Sequence, residues 1–116
     1  MNQDQRPRVF VPQEPSRFDR DLQLRVNSVD LSPALSFGEI IVCLPAGANF
    51  INSAPLVQAL KEKLSDFNSN DYLMAAGDPT CIAVAAALAA RKTGGHIKML
   101  KWDRRVKQYQ PIEINL

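Results

Sequence analysis

The stretch 72-YLMAAGDPTCIAVAAALAARKTGG-95 decides how the chain folds. Its first six residues are apolar or small and end on Gly77, the pattern of a short strand. Asp78-Pro79 then supplies what a helix start requires. An aspartate side chain accepts from the free N–H groups of the first turn, and a proline has its φ preset for the first helical position. The apolar run continues to Ala90, and Arg91 and Lys92 fall in the last turn, where the helix macrodipole favours cations. Gly94-Gly95 can take the positive φ that ends a helix. The spacing therefore predicts a strand at 72–77 and a helix at 79–92. Ala83, Ala85, Ala86, Ala87, Ala89 and Ala90 leave almost no polar face, so the helix is expected to be covered on most sides. The cover is either the N-terminal segment or a second subunit, and a homodimer built on this helix or on an edge strand is expected.

Upstream, 39-EIIVCL-44 is continuous and β-branched, bounded by Gly38 and Pro45, as a doubly covered strand would be. The segment 54-APLVQALKEKLSDF-67 follows with Leu56, Leu60, Leu64 and Phe67 at helical spacing and Lys61, Glu62 and Asp66 facing water. Ser53 or Ala54 is expected to cap a helix at 55–67, with Pro55 in its first turn. Downstream, 96-HIKMLKWD-103 and 109-YQPIEINL-116 alternate and are joined by a polar link, which reads as a β-hairpin, and Pro111 puts its last strand at a sheet edge. The order is β-α-β-α-β-β, an α/β layered sheet of parallel strands plus a C-terminal hairpin. Strands 39–44 and 72–77 are expected to pair in parallel. Residues 1–36 hold four of the eight prolines and read as an extended arm preceding a core domain at 37–116. Within the arm, 8-RVFVP-12 and 22-LQLRV-26 are candidate strands, and the apolar residues Val9, Phe10, Val11, Phe18, Leu22 and Leu24 favour an ordered arm laid on the core.

Composition bounds the function. With 116 residues, 46% hydrophobic content and a net charge of +2, the chain is ordinary for one globular domain. The longest apolar run, Cys81 to Ala90, is well short of a membrane span, and the polar start MNQDQRPR has no apolar signal core. A soluble, intracellular protein is expected. The two cysteines, Cys43 and Cys81, lie in apolar segments and read as buried reduced thiols. No phosphate loop, dinucleotide fingerprint or zinc spacing is present, so no metal and no cofactor is expected.

Two features could carry function. The strand–Gly77-Asp78–helix junction, with Thr80, is where an α/β sheet would hold a ligand, and the loop 45-PAGANF-50 would open on the same edge. Helix capping alone also explains Asp78, and its charge already occupies the helix N-terminus. The second feature is charge. Residues 91–107 carry Arg91, Lys92, Lys98, Lys101, Arg104, Arg105 and Lys107 against Asp103, with Trp102 and Tyr109 in or beside the run. Basic residues mixed with aromatics suit nucleic acid, phosphorylated ligands or an acidic protein surface. A solvated hairpin with Trp102 in the core explains the same pattern. Catalytic residues are thin. His96 has no carboxylate near it in sequence, Asp78 and Asp103 could reach one sheet edge, and Ser53 and Thr80 lack a base; no catalytic residue is assigned.

The fragments 8-RVFVPQEP-15, 37-FGEIIVCLP-45, 55-PLVQALKEKLSDF-67, 71-DYLMAAGDPTCIAVAAALAA-90 and 98-KMLKWDRRVKQYQPIEI-114 together resemble a group of small proteins of tailed bacteriophages and prophages. The resemblance spans most of the chain, and it implies a phage origin and action in the host bacterial cytoplasm. It implies no activity for any residue. The expected function is that of a phage accessory protein binding a host protein or nucleic acid through 91–107, without catalysis. The alternative is a nucleotide-binding protein, or a small nuclease or nucleotide hydrolase, working at the strand-GDP-helix junction.

Overall fold

A computed structural model describes residues 6–47 and 53–116. Its main sheet has five strands: β1 (Arg8–Gln13), β4 (Glu39–Leu44), β5 (Tyr72–Met74), β6 (His96–Asp103) and β7 (Gln108–Asn115). The spatial order is β4-β1-β5-β6-β7. The first four strands are parallel and β7 closes an antiparallel hairpin on β6. Two helices, α1 (Ser53–Lys63) and α2 (Pro79–Lys92), complete the α/β architecture. Strands β2 (Ser16–Asp19) and β3 (Leu24–Asn27) form a separate two-stranded hairpin.

The expected pairing of 39–44 with 72–77 does not occur. Strand β1 lies between them, bonded in parallel to both. Part of the segment read as an arm is thus an interior strand. Val9, Phe10 and Val11 are buried on alternating faces, which a doubly covered strand requires. Pro12 is tolerated because the β1–β4 register passes over it and β5 stops at Met74, so its missing N–H falls where no third strand continues. Beyond β1 the chain leaves the sheet. Phe18, Leu22 and Leu24 on the β2–β3 hairpin remain about half exposed, so only the first half of the apolar set joins the core.

Each face of the sheet has its own cover. On one face Leu56, Leu60, Leu64 and Phe67 from α1 and its following turn pack with Cys81, Ala85 and Ala89 of α2 against Phe10, Leu73 and Ile97. On the other, Val9, Val11, Met74, Leu100 and Tyr109 are covered by Ala34 of a 3₁₀ turn at Ser32–Ser36, with Val29, Leu31 and Phe37. This division follows from handedness. Right-handed crossovers require the β1→β4 link, which moves one way along the sheet, to cross the face opposite α1 and α2, which both move the other way.

Helix α1 ends at Lys63, short of the expected 67, but Leu64 N–H still donates to Leu60 carbonyl at 2.9 Å and the apolar stripe is kept. Helix α1 begins at Ser53, so the residues expected to cap it, Ser53 and Ala54, lie within its first turn. Helix α2 has the expected bounds. The Asp78 carboxylate accepts from Thr80 N–H at 2.9 Å, and Gly94 and Gly95 take φ of +67° and +92°. Its outward positions, Ala83 and Ala87, are exposed but small, so little apolar area needs a second subunit. Among the described residues, no helix is long and apolar enough to cross a membrane.

Candidate functional site

The strand order reverses at β1. Its outgoing chain passes to one face and toward β4, whereas β5 feeds α2 on the other face and toward β6. Between two such connections the carboxyl ends of the strands are left uncovered, and that crevice is where open parallel sheets hold ligands. A cleft of about 540 Å³ lies there. It is lined by the residues after β1 (Glu14, Ser16), after β5 (Ala75, Gly77, Asp78), by Gly47 after β4, by Arg25 from β3, and by Trp102 and Tyr109 from the hairpin. Its volume is within the usual range for small-molecule sites, about 300–1,000 Å³.

Gln13 builds its floor. This side chain is only 6% exposed. Its Oε1 accepts from Asp78 N–H at 2.9 Å and its Nε2 donates to the Pro45 carbonyl at 3.5 Å, so one amide ties the loop after β5 to the end of β4. Close approach is possible only because residue 77 is glycine. A Cβ there would lie 2.6 Å from Gln13 Cβ, and its φ of +109° disfavours any side chain. The aromatic wall is equally fixed. Trp102 meets Tyr109 edge-to-face with centroids 4.9 Å apart, and the Tyr109 hydroxyl donates to the Asp30 carbonyl at 3.0 Å. Burial, then the nearby Asp30 charge, raises the Tyr109 pKa, so the phenol stays a neutral donor.

Of the junction residues, Gly77 and Asp78 line this cleft, while exposed Thr80 sits on the first turn of α2 and serves as the partner of its cap. The loop 45–50 contributes Gly47, and residues 48–50 are outside the described residues. The basic segment is divided. Arg91 and Lys92 end α2 at the sheet's amino edge, where they border a small hollow with Leu64 and Leu88. Lys98, near the same edge, is engaged, its Nζ 4.4 Å from the Tyr72 ring centroid and donating to Asn70 carbonyl at 3.2 Å. Strand β6 rises about 3.3 Å per residue, so its two ends are separated by roughly 23 Å. Lys101, Trp102, Arg104 and Arg105 gather at the far end around a second shallow depression, and exposed Lys107 takes φ +53° in the hairpin turn. Arg105 pairs there with Asp103 at 3.3 Å, and that hydrogen bond lowers the Asp103 pKa.

His96 starts β6, so it lies at the opposite end of that strand from Asp103, and its carboxylate neighbour is Glu113 across the hairpin, 3.5 Å away. The two thiols are buried, and burial pushes the Cys43 thiol up to about 11 and raises Cys81 as well, which leaves both protonated at neutral pH. Among the described residues no group of three or more His, Cys, Asp or Glu side chains could hold a metal ion. Sequence reasoning missed Gln13, Arg25 and the placement of Trp102 in the same cleft as Gly77. A polar residue ending an apolar run, as Gln13 ends 9–12, is the one local signal of such a position.

Fold and cleft define the class: a small mixed α/β protein with a mostly parallel sheet, a terminal hairpin and a polar cleft at the carboxyl edge. The chain matches the family described as Phage Pam3 gp32-like protein over residues 7–116 and belongs to it, in agreement with the phage resemblance. No curated protein and no solved structure matches the chain.

Proposed function

We propose that this phage protein is an accessory protein acting in the host cytoplasm by binding rather than by chemistry, and that its site is the carboxyl-edge cleft, taking a small polar ligand of the nucleotide kind. The observation that carries this reading is the coincidence of the cleft with the reversal of strand order at Gly77-Asp78. The distance along β6 between His96 and Asp103 weighs against the hydrolase alternative, which needs acid and base on one edge. The test is a thermal-shift screen with mononucleotides, nucleosides and magnesium on the wild type and on Ala75→Phe, whose exposed position lines the cleft. A ligand at about 100 times its Kd stabilises the native state by roughly 2.7 kcal/mol. The wild type should then melt several degrees higher and the filled variant should not respond. Equal shifts in both proteins, or none in either, would sink the reading.

A second reading rests on the corner formed by Lys101, Trp102, Arg104 and Arg105. Contact there with a host protein or nucleic acid should be lost in Arg104→Glu/Arg105→Glu, and only nucleic acid should give the steep salt dependence of counterion release. A homodimer has its best support in β4, whose outer edge carries no partner strand among the described residues. Light scattering at high concentration giving 12.9 kDa would remove it.

A further inference from the structure

We propose that the ligand of the carboxyl-edge cleft is a nucleoside monophosphate, its base laid against Trp102 and its phosphate held by Arg25. This rests on the reading of the cleft as the binding site. Trp102 is half-buried at the cleft wall, and its contact with Tyr109, itself tethered to the Asp30 carbonyl, holds the indole in place before any ligand arrives. A fixed indole is a stacking surface that pays no ordering entropy when a base lands on it.

Arg25 supplies the anion site. Its Nη1 donates to Ser16 Oγ at 3.0 Å across the β2–β3 hairpin. The guanidinium lies over Gly47, where a Cβ would come within 2.9 Å of Nε. Gly47 therefore has to lack a side chain for the arginine to lie where it does. Among the described residues no carboxylate lies within ion-pair distance of Arg25, which leaves the donors that Ser16 does not use without an ionic partner. That geometry suits phosphate.

Charge sets the number of phosphates. Among the described residues, the cleft holds Glu14 and Asp78 against the single cation Arg25. Asp78 also occupies the N-terminus of α2, so the helix dipole is already answered. A second or third phosphate would meet two carboxylates and no further cation. The carboxylates instead suit hydrogen-bond donors, the ribose hydroxyls or an exocyclic amine.

Calorimetric titration with AMP, CMP, GMP and UMP, their nucleosides and their triphosphates tests this, with fluorescence of Trp102, the only tryptophan, as a second readout. At least one monophosphate should bind about tenfold or more tighter than both its nucleoside and its triphosphate, and should alter Trp102 emission at saturation. Arg25→Gln, at an exposed position, should erase the gap between monophosphate and nucleoside while nucleoside binding persists. The proposal is overturned if the triphosphate binds tighter, if Arg25→Gln keeps the monophosphate affinity, if Trp102 emission does not respond, or if none of these compounds binds. Ala75→Phe separates the two levels. Nucleoside binding that Ala75→Phe blocks but Arg25→Gln and the phosphate do not influence would overturn the monophosphate and leave the cleft standing. Monophosphate binding that survives Ala75→Phe would overturn the cleft and the proposal with it.

Discussion

The two edges of the parallel sheet hold similar side chains to opposite effect. At the amino edge Asp71, 1% exposed, receives Arg8 Nη2 at 2.8 Å, Arg8 Nε at 3.2 Å, and the backbone N–H groups of Arg8 and Asn68. Arg8 Nη1 also pairs with Asp66 at 2.8 Å, which lowers the Asp66 pKa. The polar groups there satisfy one another, and none of them lines the hollow that Arg91 and Lys92 border at the same edge. At the carboxyl edge, glycines at 47 and 77 keep the backbone bare, Gln13 is spent tying loops, and Glu14, Arg25 and Asp78 surround open space. Charge clustering does not by itself mark a site. Where donors and acceptors close on each other the cluster is a clasp, and where they line a space left by the topology it is a candidate receptor.

The largest expected effect is at the clasp. Asp71→Ala strands two backbone donors in a part-buried place and leaves the Arg8 guanidinium to Asp66 alone, which should destabilise the fold by about 2–4 kcal/mol in urea melts. Loss below about 1 kcal/mol would mean that the amino edge is no more closed than the cleft. The body between the edges offers a pH test. Burial raises the Cys43 thiol from 9.0 to about 11, so the folded state holds this proton more tightly than the unfolded chain does. Its stabilisation is complete below pH 9 and is lost as pH rises from 9 to 11, by on the order of 2–3 kcal/mol. Tyr109 and Cys81 shift in the same direction, so Cys43→Ala should flatten that decline without abolishing it.

Gly77→Ala should cost roughly 1–3 kcal/mol, because a positive φ and a Cβ overlapping Gln13 both act against it. Unlike Asp71→Ala, it should also spoil ligand response in the fraction that stays folded. Asp78→Ala is the smallest change. Loss of the cap should cost about 0.5–2 kcal/mol in the same melts, and removal of one cleft carboxylate should narrow the preference for monophosphate over triphosphate in calorimetry. A variant with weakened stability and unchanged preference would reduce Asp78 to a cap alone.

What was legible in the sequence was local. The strand at 39–44 and the helix at 79–92, with its aspartate cap and glycine stop, follow from periodicity and terminal chemistry within a few residues. The hairpin with Pro111 on an edge strand follows in the same way. The place of β1 did not, because proline density describes a segment's neighbours and says nothing of which strands it joins. Its partners lie 31 and 63 residues away, Arg8 with Glu39 and Val9 with Tyr72. The cleft inherits that difficulty. Gly77-Asp78 was visible as a turn, but Arg25 and Trp102 reach it only through the crossover of β1 and the hairpin, and the contiguous basic run was pulled apart by the length of β6.

The central claim is that the open carboxyl edge, and neither the amino edge nor the basic corner, is where this protein meets its ligand. A two-dimensional ¹H–¹⁵N NMR titration with AMP, CMP, GMP and UMP tests it residue by residue. The predicted result is a set of saturating shifts at Gln13–Ser16, Gly47, Ala75–Asp78 and the Trp102 indole, with Arg8, Asp71, Arg91 and Lys92 unmoved. Shifts confined to Arg104 and Arg105 or to the amino edge, or spectra unchanged by all four nucleotides, would contradict it.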